Sequence, residues 1–384
     1  MGIKLDCRYF KGDKPCKYNG LCSKCEYYQP IGKKILIIKL ASIGDVLRTT
    51  PILRGLKEKY PDSHIVWLTS QVSLDVLRGN NFIDEILTYN LESALRLQIE
   101  FFDIVISLDK AIEATVLASK VRAKAKLGYG LSKEGRLFPF NKEAEYAFNL
   151  GLSDELKFKT NKKSYQEMIF DMARLKFKNQ EYILELDDEQ RQFTEDFLKK
   201  NRLNSDDFKV GLNTGCGPIF PYKKWTIDGF VDLANKLERQ HEAGLIPISC
   251  NKTKVLLLGG KQEIERNREI LKKVDLPILD TGCDHNLKEF IALINCCDLI
   301  VSADTLAMHI AIGLKKMVVA LFGPTCAQEV ELYGRGERRI AHLDCTPCYK
   351  NSCNRNKNCM EIITPQEVLE AIYRLKNRNI YEKQ

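Results

Sequence analysis

Two aspartates stand immediately after apolar runs, at points where a strand is expected to give way to a helix. Asp45 follows the run 34–39 through a short loop, and Asp304 follows the run 299–302. An aspartate at a helix start can cap the helix and complement its dipole. It can also face a cleft as a general base, because strand-end loops line the ligand site of parallel sheets. Spacing alone leaves both interpretations of Asp45 open.

A glycine-bearing loop and a lysine in the second half of the chain could hold a phosphate group. Thr214 and Gly215 follow the apolar run 209–213, and Lys223 lies a few residues further on. Backbone N–H groups of such a loop, together with the point charge of a lysine, can bind phosphate. The Gly-Lys-Ser/Thr spacing of a P-loop is absent, and a surface loop with solvated lysines would show the same pattern.

A threonine and a histidine follow Asp304 at helical spacing. Thr305 is adjacent to Asp304, and His309 lies about one turn into the next segment. The N–H donors of a helix start suit a pyrophosphate or a ribose, and Asp304 and Thr305 could also cap the helix. A lone histidine at this position is more often a packed core residue than a ligand contact.

Eight of the fourteen cysteines form two clusters. The later cluster offers four thiolates within fifteen residues, which is the number that a closed tetrahedral zinc site needs. Clustered cysteines in a reducing compartment bind metal more often than they form disulfides, and free thiols are the alternative. We expect a structural ion without a catalytic role, either zinc or iron. The clusters are Cys345, Cys348, Cys353 and Cys359, and, with looser spacing, Cys7, Cys16, Cys22 and Cys25.

The length of 384 residues, with 44% hydrophobic and 29% charged residues, predicts two globular α/β domains. Apolar runs alternate with helix-like segments twice along the chain, as in doubly wound parallel sheets. We expect a cysteine-rich extension at 1–30, a first domain at 31–185 and a second domain at 186–384. The second domain would include the cysteine-rich finger 345–359 and a terminal helix. The predicted strands are 34–39, 64–69, 85–89, 103–107, 209–213, 255–258, 278–280, 299–302 and 317–321, and the predicted helices of the first domain are 46–59, 91–100 and 109–120.

The net charge of +8 results from 59 basic and 51 acidic side chains, which mostly alternate along the chain. This pattern disfavours nucleic-acid binding, which usually concentrates Lys and Arg in one stripe. It suits phosphorylated sugars, nucleotides or anionic lipids without ranking them. The sequence shows neither a secretory leader nor an apolar run long enough to cross a bilayer. We therefore expect a cytoplasmic protein. The sequence leaves open both its peripheral attachment to the inner membrane and its oligomeric state.

Four separated motifs together resemble glycosyltransferase family nine, the ADP-heptose heptosyltransferases, over residues 33–378. A chance match to four motifs in order is far less expected than a match to one of them. The motifs are Ser42 to Asp45, Lys223 with Trp225, Gly259 and Gly260 with Glu263, and Asp304 to His309 followed by 321–325.

This resemblance implies a GT-B fold, in which two doubly wound Rossmann-like domains face a central cleft. It also implies inverting transfer of a sugar from ADP-heptose, or a related nucleotide sugar, without a catalytic metal. The donor would bind mainly to the second domain. The acceptor, which could be a glycan, a lipopolysaccharide core or a protein, would bind to the first.

The same resemblance implies roles for individual residues. Asp45 would take the proton of the acceptor hydroxyl, and Lys223 would stabilise the departing diphosphate. Leu306 departs from the family, which usually has glycine after the Asp-Thr pair, so less backbone can approach the donor there. Some protein-modifying members carry an iron-binding cysteine finger, so iron remains an alternative to zinc at the cysteine clusters. The remaining implied contacts are Thr214, Gly215, Gly259, Gly260, Glu263, Asp304, Thr305 and His309 for the donor, and Ser42, Gly44 and Arg48 on the acceptor side.

Two other classes of function remain open from the sequence. A sugar-nucleotide epimerase uses two similar domains. The cysteine clusters could instead belong to a metal-stabilised protein that presents a nucleic-acid-binding or protein-binding surface. A dinucleotide oxidoreductase is disfavoured, because no Gly-x-Gly-x-x-Gly follows the first predicted strand.

Overall fold

The computed structural model describes residues 2–217, 219–242 and 252–382, and these residues form two six-stranded sheets. The strands of the first sheet are β1 (Lys34–Ile38), β2 (His64–Thr69), β3 (Glu85–Thr88), β4 (Phe101–Ser107), β5 (Arg122–Leu131) and β6 (Leu137–Pro139). Those of the second are β7 (Phe208–Asn213), β8 (Thr253–Leu258), β9 (Leu279–Asp280), β10 (Leu299–Ala303), β11 (Met317–Phe322) and β12 (Gly336–Ile340).

Both sheets have the same strand order. The first runs β3-β2-β1-β4-β5-β6 and the second runs β12-β11-β10-β7-β8-β9. Neighbouring strands are parallel, except that β5 and β6 are antiparallel. The strand order reverses between β1 and β4 and again between β7 and β10, and ligands bind outside the carboxyl ends of strands at such points. The predicted fold of two Rossmann-like domains is confirmed.

Twelve α-helices connect the strands within the described residues. In the first half they are α1 (Ile43–Thr49), α2 (Ile52–Lys59), α3 (Leu91–Ile99), α4 (Ile112–Lys120), α5 (Lys142–Asn149) and α6 (Tyr165–Met172), with a π-helix at Glu155–Thr160. In the second half they are α7 (Asp188–Lys200), α8 (Ile227–Glu242), α9 (Ile264–Lys273), α10 (Leu287–Asn295), α11 (Leu306–Gly313) and α12 (Pro365–Glu382). Short 3-10 helices include Pro221–Lys223, Ala327–Glu329 and Cys359–Glu361.

Strand β1 shows why a continuous apolar run becomes a central strand. Ile35 and Ile37 are fully buried in one apolar cluster, whereas Leu36 and Ile38 are fully buried in another. Successive side chains of a strand point to opposite faces, so a strand covered on both faces must be apolar at every position. The run that was predicted as a strand is thus the centre of the first domain.

Two expectations about the secondary structure were wrong. The single helix predicted at 46–59 is two helices, α1 and α2, because Pro51 stands between them and cannot donate a backbone hydrogen bond. The strands β5, β6 and β12 were missed. Half of β5 and all of β12 lie outside the buried core and carry charged residues, as is usual for strands near a sheet edge, so they lack the apolar run that identified the others.

The two halves of the chain pack against each other. The largest apolar cluster contains residues of both sheets, from Ile35 to Ile300. At their contact, Gly313 of α11 faces Leu184 and Leu47, and a Cβ at this glycine would lie 3.1 Å from the Cβ of Leu184. Helix α7 packs against α10, so the chain joins the second domain soon after Leu184.

The cysteine-rich extension folds back on itself and contacts the first domain. Cys7 forms a β-bridge with Pro30, and the Arg8 guanidinium donates a hydrogen bond of 2.9 Å to the carbonyl of Asp62. The described part of the chain contains no helix that is long and apolar enough to span a membrane.

Candidate active site

Two helix starts, one from each domain, meet across the cleft. Helix α1 begins after Ser42, and α11 begins after Thr305. A Cβ on Gly44 in the first turn of α1 would lie only 2.9 Å from Cδ2 of His309 in α11. The position therefore needs glycine because of a close approach between the domains, although its backbone is ordinary.

Asp45 lies in the first turn of α1 and presents its carboxylate to the cleft. Ser42 occupies the N-cap position without a side-chain capping bond, and Asp45 lies in the first turn, where its charge complements the helix dipole. The Ser42 hydroxyl donates to Oδ2 of Asp45 at 3.2 Å, and Nε of Arg48 lies 3.2 Å from Oδ1. The Asp45 side chain is 39% exposed, so the carboxylate is held by its neighbours yet open to a ligand.

The charges around Asp45 keep it ionised. Burial raises its pKa, but the positive charges of Arg48 and Lys39 lower it by more, and the net pKa lies below the ordinary value. An ionised carboxylate can accept a proton, although a low pKa also makes it a weaker base. Burial, reinforced by the Arg48 charge, lowers the pKa of His309 to about 4, so this histidine is neutral at neutral pH.

His309 combines the two roles that the sequence left open. Its ring is buried, and Nδ1 lies 3.3 Å from the hydroxyl of Tyr182. Its Nε2 lies 3.8 Å from Oδ1 of Asp304, and the residue also lines the cleft. His309 is therefore a packed residue that forms part of the wall of the cleft.

Lys223 is fixed at the second-domain wall. Its ammonium donates a 2.6 Å hydrogen bond to the backbone carbonyl of Asp304 and lies 3.9 Å from the Asp304 carboxylate. The side chain is 15% exposed. The next residue, Lys224, pairs with Glu263 at 3.2 Å and does not itself line the cleft. A charge that is already oriented can stabilise a developing anion without reorganisation.

The loop after β7 packs closely onto Glu263. A Cβ on Gly215 would lie 2.8 Å from the Glu263 carboxylate carbon, and the Gly260 N–H donates to this carboxylate at 3.2 Å. The amide of Asn213 donates to the Gly215 carbonyl at 3.1 Å, which holds the loop in place. Gly215, Gly260 and Glu263 thus form one connected surface.

Thr214 is placed differently from the other predicted donor contacts. Its side chain is buried, and its hydroxyl donates to Oδ1 of Asn267 at 2.5 Å and contacts the Leu258 carbonyl at 3.2 Å. It therefore anchors the loop from behind and does not line the cleft. In a strand, alternate side chains face opposite ways, and sequence alone did not indicate which way this one turns.

The cleft contains a cavity of about 1010 Å³, which is large enough for a nucleotide sugar. Residues of both domains line it, including twelve of the thirteen predicted catalytic, donor and acceptor residues. These are Ser42, Gly44, Asp45, Arg48, Gly215, Lys223, Gly259, Gly260, Glu263, Asp304, Thr305 and His309.

Sequence reasoning missed several residues of this cavity. Asn213 adjoins the recognised loop at Thr214 and Gly215, and Thr325 belongs to the recognised motif 321–325 without having been assigned a role, so strand ends gave a usable signal. Lys157, Glu329 and Tyr349 come from segments without any such motif, and only the tertiary structure brings them to the cleft. The further lining residues are Ile43, Cys216, Gly217, Ile219, Phe220, His285, Asn286, Leu287, Phe290, Leu306 and Ala307.

A second cavity of about 370 Å³ opens on the first-domain side of Asp45. It shares Asp45, Arg48, Lys157 and Glu329 with the first cavity. Its other polar lining residues are Lys39, Asp109, Lys110, Tyr129 and Tyr165. The shared residues mark the junction between a pocket in the first domain and a pocket mainly in the second.

None of the eight cysteines of the two clusters forms a disulfide. The four earlier cysteines line one cavity of about 360 Å³. In the later cluster, burial and then the neighbouring thiols of Cys348, Cys353 and Cys345 raise the pKa of Cys359 to about 11. Among residues 2–217, 219–242 and 252–382, no group of three or more His, Cys, Asp or Glu side chains is arranged to hold a metal ion. The metal sites therefore stay a prediction.

Comparisons with known proteins agree with this architecture. Residues 91–358 match the model of "Glycosyltransferase family 9 (heptosyltransferase)". The chain is 24% identical over 354 residues to "Lipooligosaccharide heptosyltransferase 2" of Campylobacter jejuni, covering 89% of this chain and 99% of that one.

Two solved structures share the fold. The "ADP-heptose lps heptosyltransferase II" of E. coli superposes with a TM-score of 0.64 at 20% identity, covering 90% of this chain and 99% of that one. The "iron-containing dodecameric glycosyltransferase TibC" of enterotoxigenic E. coli gives a TM-score of 0.52 at 13% identity, covering 91% and 77%.

With this family match, the two-domain fold and its cleft define a GT-B glycosyltransferase. The chain belongs to glycosyltransferase family 9, the heptosyltransferase family.

Proposed function

We propose that this enzyme transfers heptose from ADP-heptose to a hydroxyl of a lipopolysaccharide or lipooligosaccharide core, with inversion at the anomeric carbon. The observation that carries the proposal is the contact between Gly44 and His309, which brings Asp45 and the Lys223–Asp304 pair to one cavity. The similarity to the E. coli ADP-heptose lps heptosyltransferase II supports the donor, and the similarity to the Campylobacter lipooligosaccharide heptosyltransferase 2 supports the acceptor.

The donor would occupy the large cavity with its diphosphate near Lys223. The N-terminal turn of α11 adds backbone N–H groups that favour an anion, because Thr305 at its N-cap makes no side-chain capping bond. Leu306, Leu287 and Phe290 form an apolar part of the wall that suits the flat face of a base. The side chain of Leu306 stands where the family usually has glycine, so it would displace the donor slightly from this helix start.

In the proposed reaction, the acceptor hydroxyl loses its proton to the Asp45 carboxylate as its oxygen bonds to the anomeric carbon. The bond between that carbon and the diphosphate oxygen breaks, and its electron pair leaves with ADP. Lys223 stabilises the charge that develops on the diphosphate. Because the base and this cation belong to opposite walls of the cleft, attack and departure occur on opposite faces of the sugar, which gives inversion.

The acceptor would occupy the smaller cavity of the first domain. Arg48 has its guanidinium 3.7 Å from the centre of the Tyr165 ring, so it is fixed beside Asp45. We propose that the enzyme works in the cytoplasm, at the surface of the membrane that holds its lipid-linked acceptor. No catalytic metal enters this mechanism.

Transfer should be tested with ADP-heptose and a lipooligosaccharide core that lacks heptose. We expect a mass increase of one heptose on the acceptor, release of ADP, and an anomeric configuration opposite to that of the donor by NMR. Release of an epimerised ADP-sugar without transfer would identify an epimerase and contradict the proposal. Unchanged donor and acceptor would contradict it as well.

We also propose that Cys345, Cys348, Cys353 and Cys359 hold one structural zinc or iron ion. The thiols of Cys345, Cys348 and Cys353 lie near enough to Cys359 to raise its pKa. Thiolates packed together repel unless a cation neutralises them. The ion would stabilise the finger, which has few apolar residues of its own. The looser set at Cys7, Cys16, Cys22 and Cys25 is a second candidate for such an ion.

Elemental analysis of protein purified without chelator should find about one equivalent of zinc plus iron per chain, or about two if both clusters are filled. Cys348→Ser should lose one equivalent and lower the melting temperature. Cys283→Ser, outside both clusters, should retain the full content. Less than about a tenth of an equivalent in the wild type would refute the site.

A further inference from the structure

Lys157 lies where the two cavities of the active site join. It belongs to the π-helix Glu155–Thr160 of the first domain, far in sequence from every recognised motif. It lines the large cavity together with Lys223 and the small cavity together with Asp45. A ligand that passes from the donor site towards the base would therefore pass this side chain.

The ring of Tyr349, in the cysteine-rich finger, holds Lys157. The Lys157 ammonium lies 3.7 Å from the centre of this ring, at cation–π distance. The ring also stacks on Phe158, with centroids 5.7 Å apart and planes at 5°, and it meets Phe220 edge-on at 5.8 Å. Tyr349 thus joins the first domain to the second at the edge of the cleft.

The second domain fixes Tyr349 firmly. The backbone N–H groups of Cys348 and Tyr349 both donate to the Pro324 carbonyl, at 3.0 and 2.9 Å. The Tyr349 hydroxyl accepts a 3.2 Å bond from the Cys326 N–H. Its backbone has a φ of +51°, which is costly for a bulky residue and persists only where surrounding contacts hold it.

The charge of Lys157 is available to a ligand. Most cations nearby are already paired: Arg48 lies beside Asp45, Lys39 lies 3.3 Å from Asp109, and Lys223 contacts Asp304. Within the described residues, no carboxylate lies within 4.0 Å of the Lys157 ammonium. Glu329 shares the junction, where burial raises its pKa and the charges of Arg48 and Lys157 partly oppose that rise.

We propose that Lys157 is a substrate-binding residue that contacts an anionic group at the junction of the two cavities, and that Tyr349 is its positioning residue. This inference rests on the proposed function. The anion is a phosphate or a carboxylate, and it has two possible sources, the diphosphate of the donor or an acidic group beside the acceptor hydroxyl. In either case, the finger contributes to the active site through Tyr349.

Binding of ADP and of the heptose-free acceptor should be measured by calorimetry, separately, for the wild type and Lys157→Met. We expect about a tenfold weaker binding of the ligand that carries the anion, as for loss of a hydrogen bond to a charged group. KM for that substrate should rise with kcat nearly unchanged. Lys157→Arg should restore most of the affinity. Lys159→Met is the matched control, because Lys159 is exposed on the same helix and pairs with Glu155 at 2.8 Å.

Tyr349→Leu should weaken binding of the same ligand by about threefold, whereas Tyr349→Phe, which keeps the ring and the backbone bonds to Pro324, should retain most of the affinity. If only the binding of ADP weakens, the anion that Lys157 contacts is the donor diphosphate. If only the binding of the acceptor weakens, the anion is the acidic group of the acceptor. Unchanged binding of both ligands to Lys157→Met would overturn the inference. Failure of the wild type to transfer heptose would instead contradict the proposed function, and the two binding constants would still decide the role of Lys157.

Discussion

The two helix starts that meet in the cleft have similar sequence signals but different surroundings. Each follows a central strand, and each carries an aspartate near its first turn. Asp45 is 39% exposed and faces Arg48, whereas Asp304 is 18% exposed and is bound between Lys223 and His309. The first arrangement leaves the Asp45 carboxylate accessible to a proton. In the second, Asp304 holds the Lys223 ammonium in a position to bind an anion. In the proposed mechanism, exposure and partners, more than residue type, therefore distinguish the base from the binding group.

Removing the Lys223 charge from the second-domain side of the cleft should have the largest effect on turnover of the three tests that follow. Lys223→Met should lower kcat by about a hundredfold or more, because stabilisation of the departing diphosphate acts mainly in the transition state. Steady-state kinetics with both substrates would measure this. The control is Lys254→Met, on strand β8 and outside the cavity lining. An increase in donor KM with unchanged kcat would show that Lys223 only binds the donor.

Separating the two walls should have an intermediate effect. In Gly44→Ala, the added methyl group would lie 2.9 Å from the His309 ring, and relieving this contact must shift one helix start. Overpacking of this kind costs about 1–3 kcal/mol. We expect a lower melting temperature and about a tenfold loss of kcat/KM. Gly20→Ala, whose nearest contact would be an ordinary 3.7 Å, should change neither. Wild-type kinetics in Gly44→Ala would contradict the close approach.

The charges around Asp45 in the first domain should affect the pH dependence of kcat/KM. Near neutral pH this effect should be the smallest of the three. The Arg48 charge lowers the pKa of Asp45, so this proposed base stays ionised to lower pH than an ordinary aspartate. In Arg48→Met this pKa rises, and the acid limb of kcat/KM should move to higher pH. Arg48→Lys should keep the limb in place. His309 also titrates in the acid range, so its contribution must be separated from that of Asp45. The shift caused by Arg48→Met should persist when His309→Gln is added.

The sequence predicted the central strands from local apolar runs, and its motifs named most of the residues that the structure brings to the cleft. Strand β2 was predicted with the bounds that the structure shows, from a single apolar run. The edge strand β12, with the sequence GERRI, gave no such signal because its residues are only partly buried. The distinction between Thr214 and Gly215 depends on side-chain direction at the end of β7, which the pattern does not encode.

Residues from distant segments could not be predicted at all. The approach of Gly44 to His309 requires both domains to be placed, and no spacing rule connects positions so far apart in sequence. The meeting of Lys157 with Tyr349 is of the same kind. The cysteine spacing suggested a structural finger, but it gave no sign that a tyrosine within it reaches the cleft.

The central claim is that Asp45 takes the proton of the acceptor hydroxyl, and Asp45→Asn tests it most directly. Single-turnover transfer from ADP-heptose should be at least about a hundredfold slower than in the wild type, while the melting temperature and ADP affinity stay unchanged. Asp304→Asn, measured in parallel, should mainly weaken ADP binding. Transfer by Asp45→Asn within a few-fold of the wild-type rate would contradict the account and leave Asp45 as a residue that only complements the helix dipole.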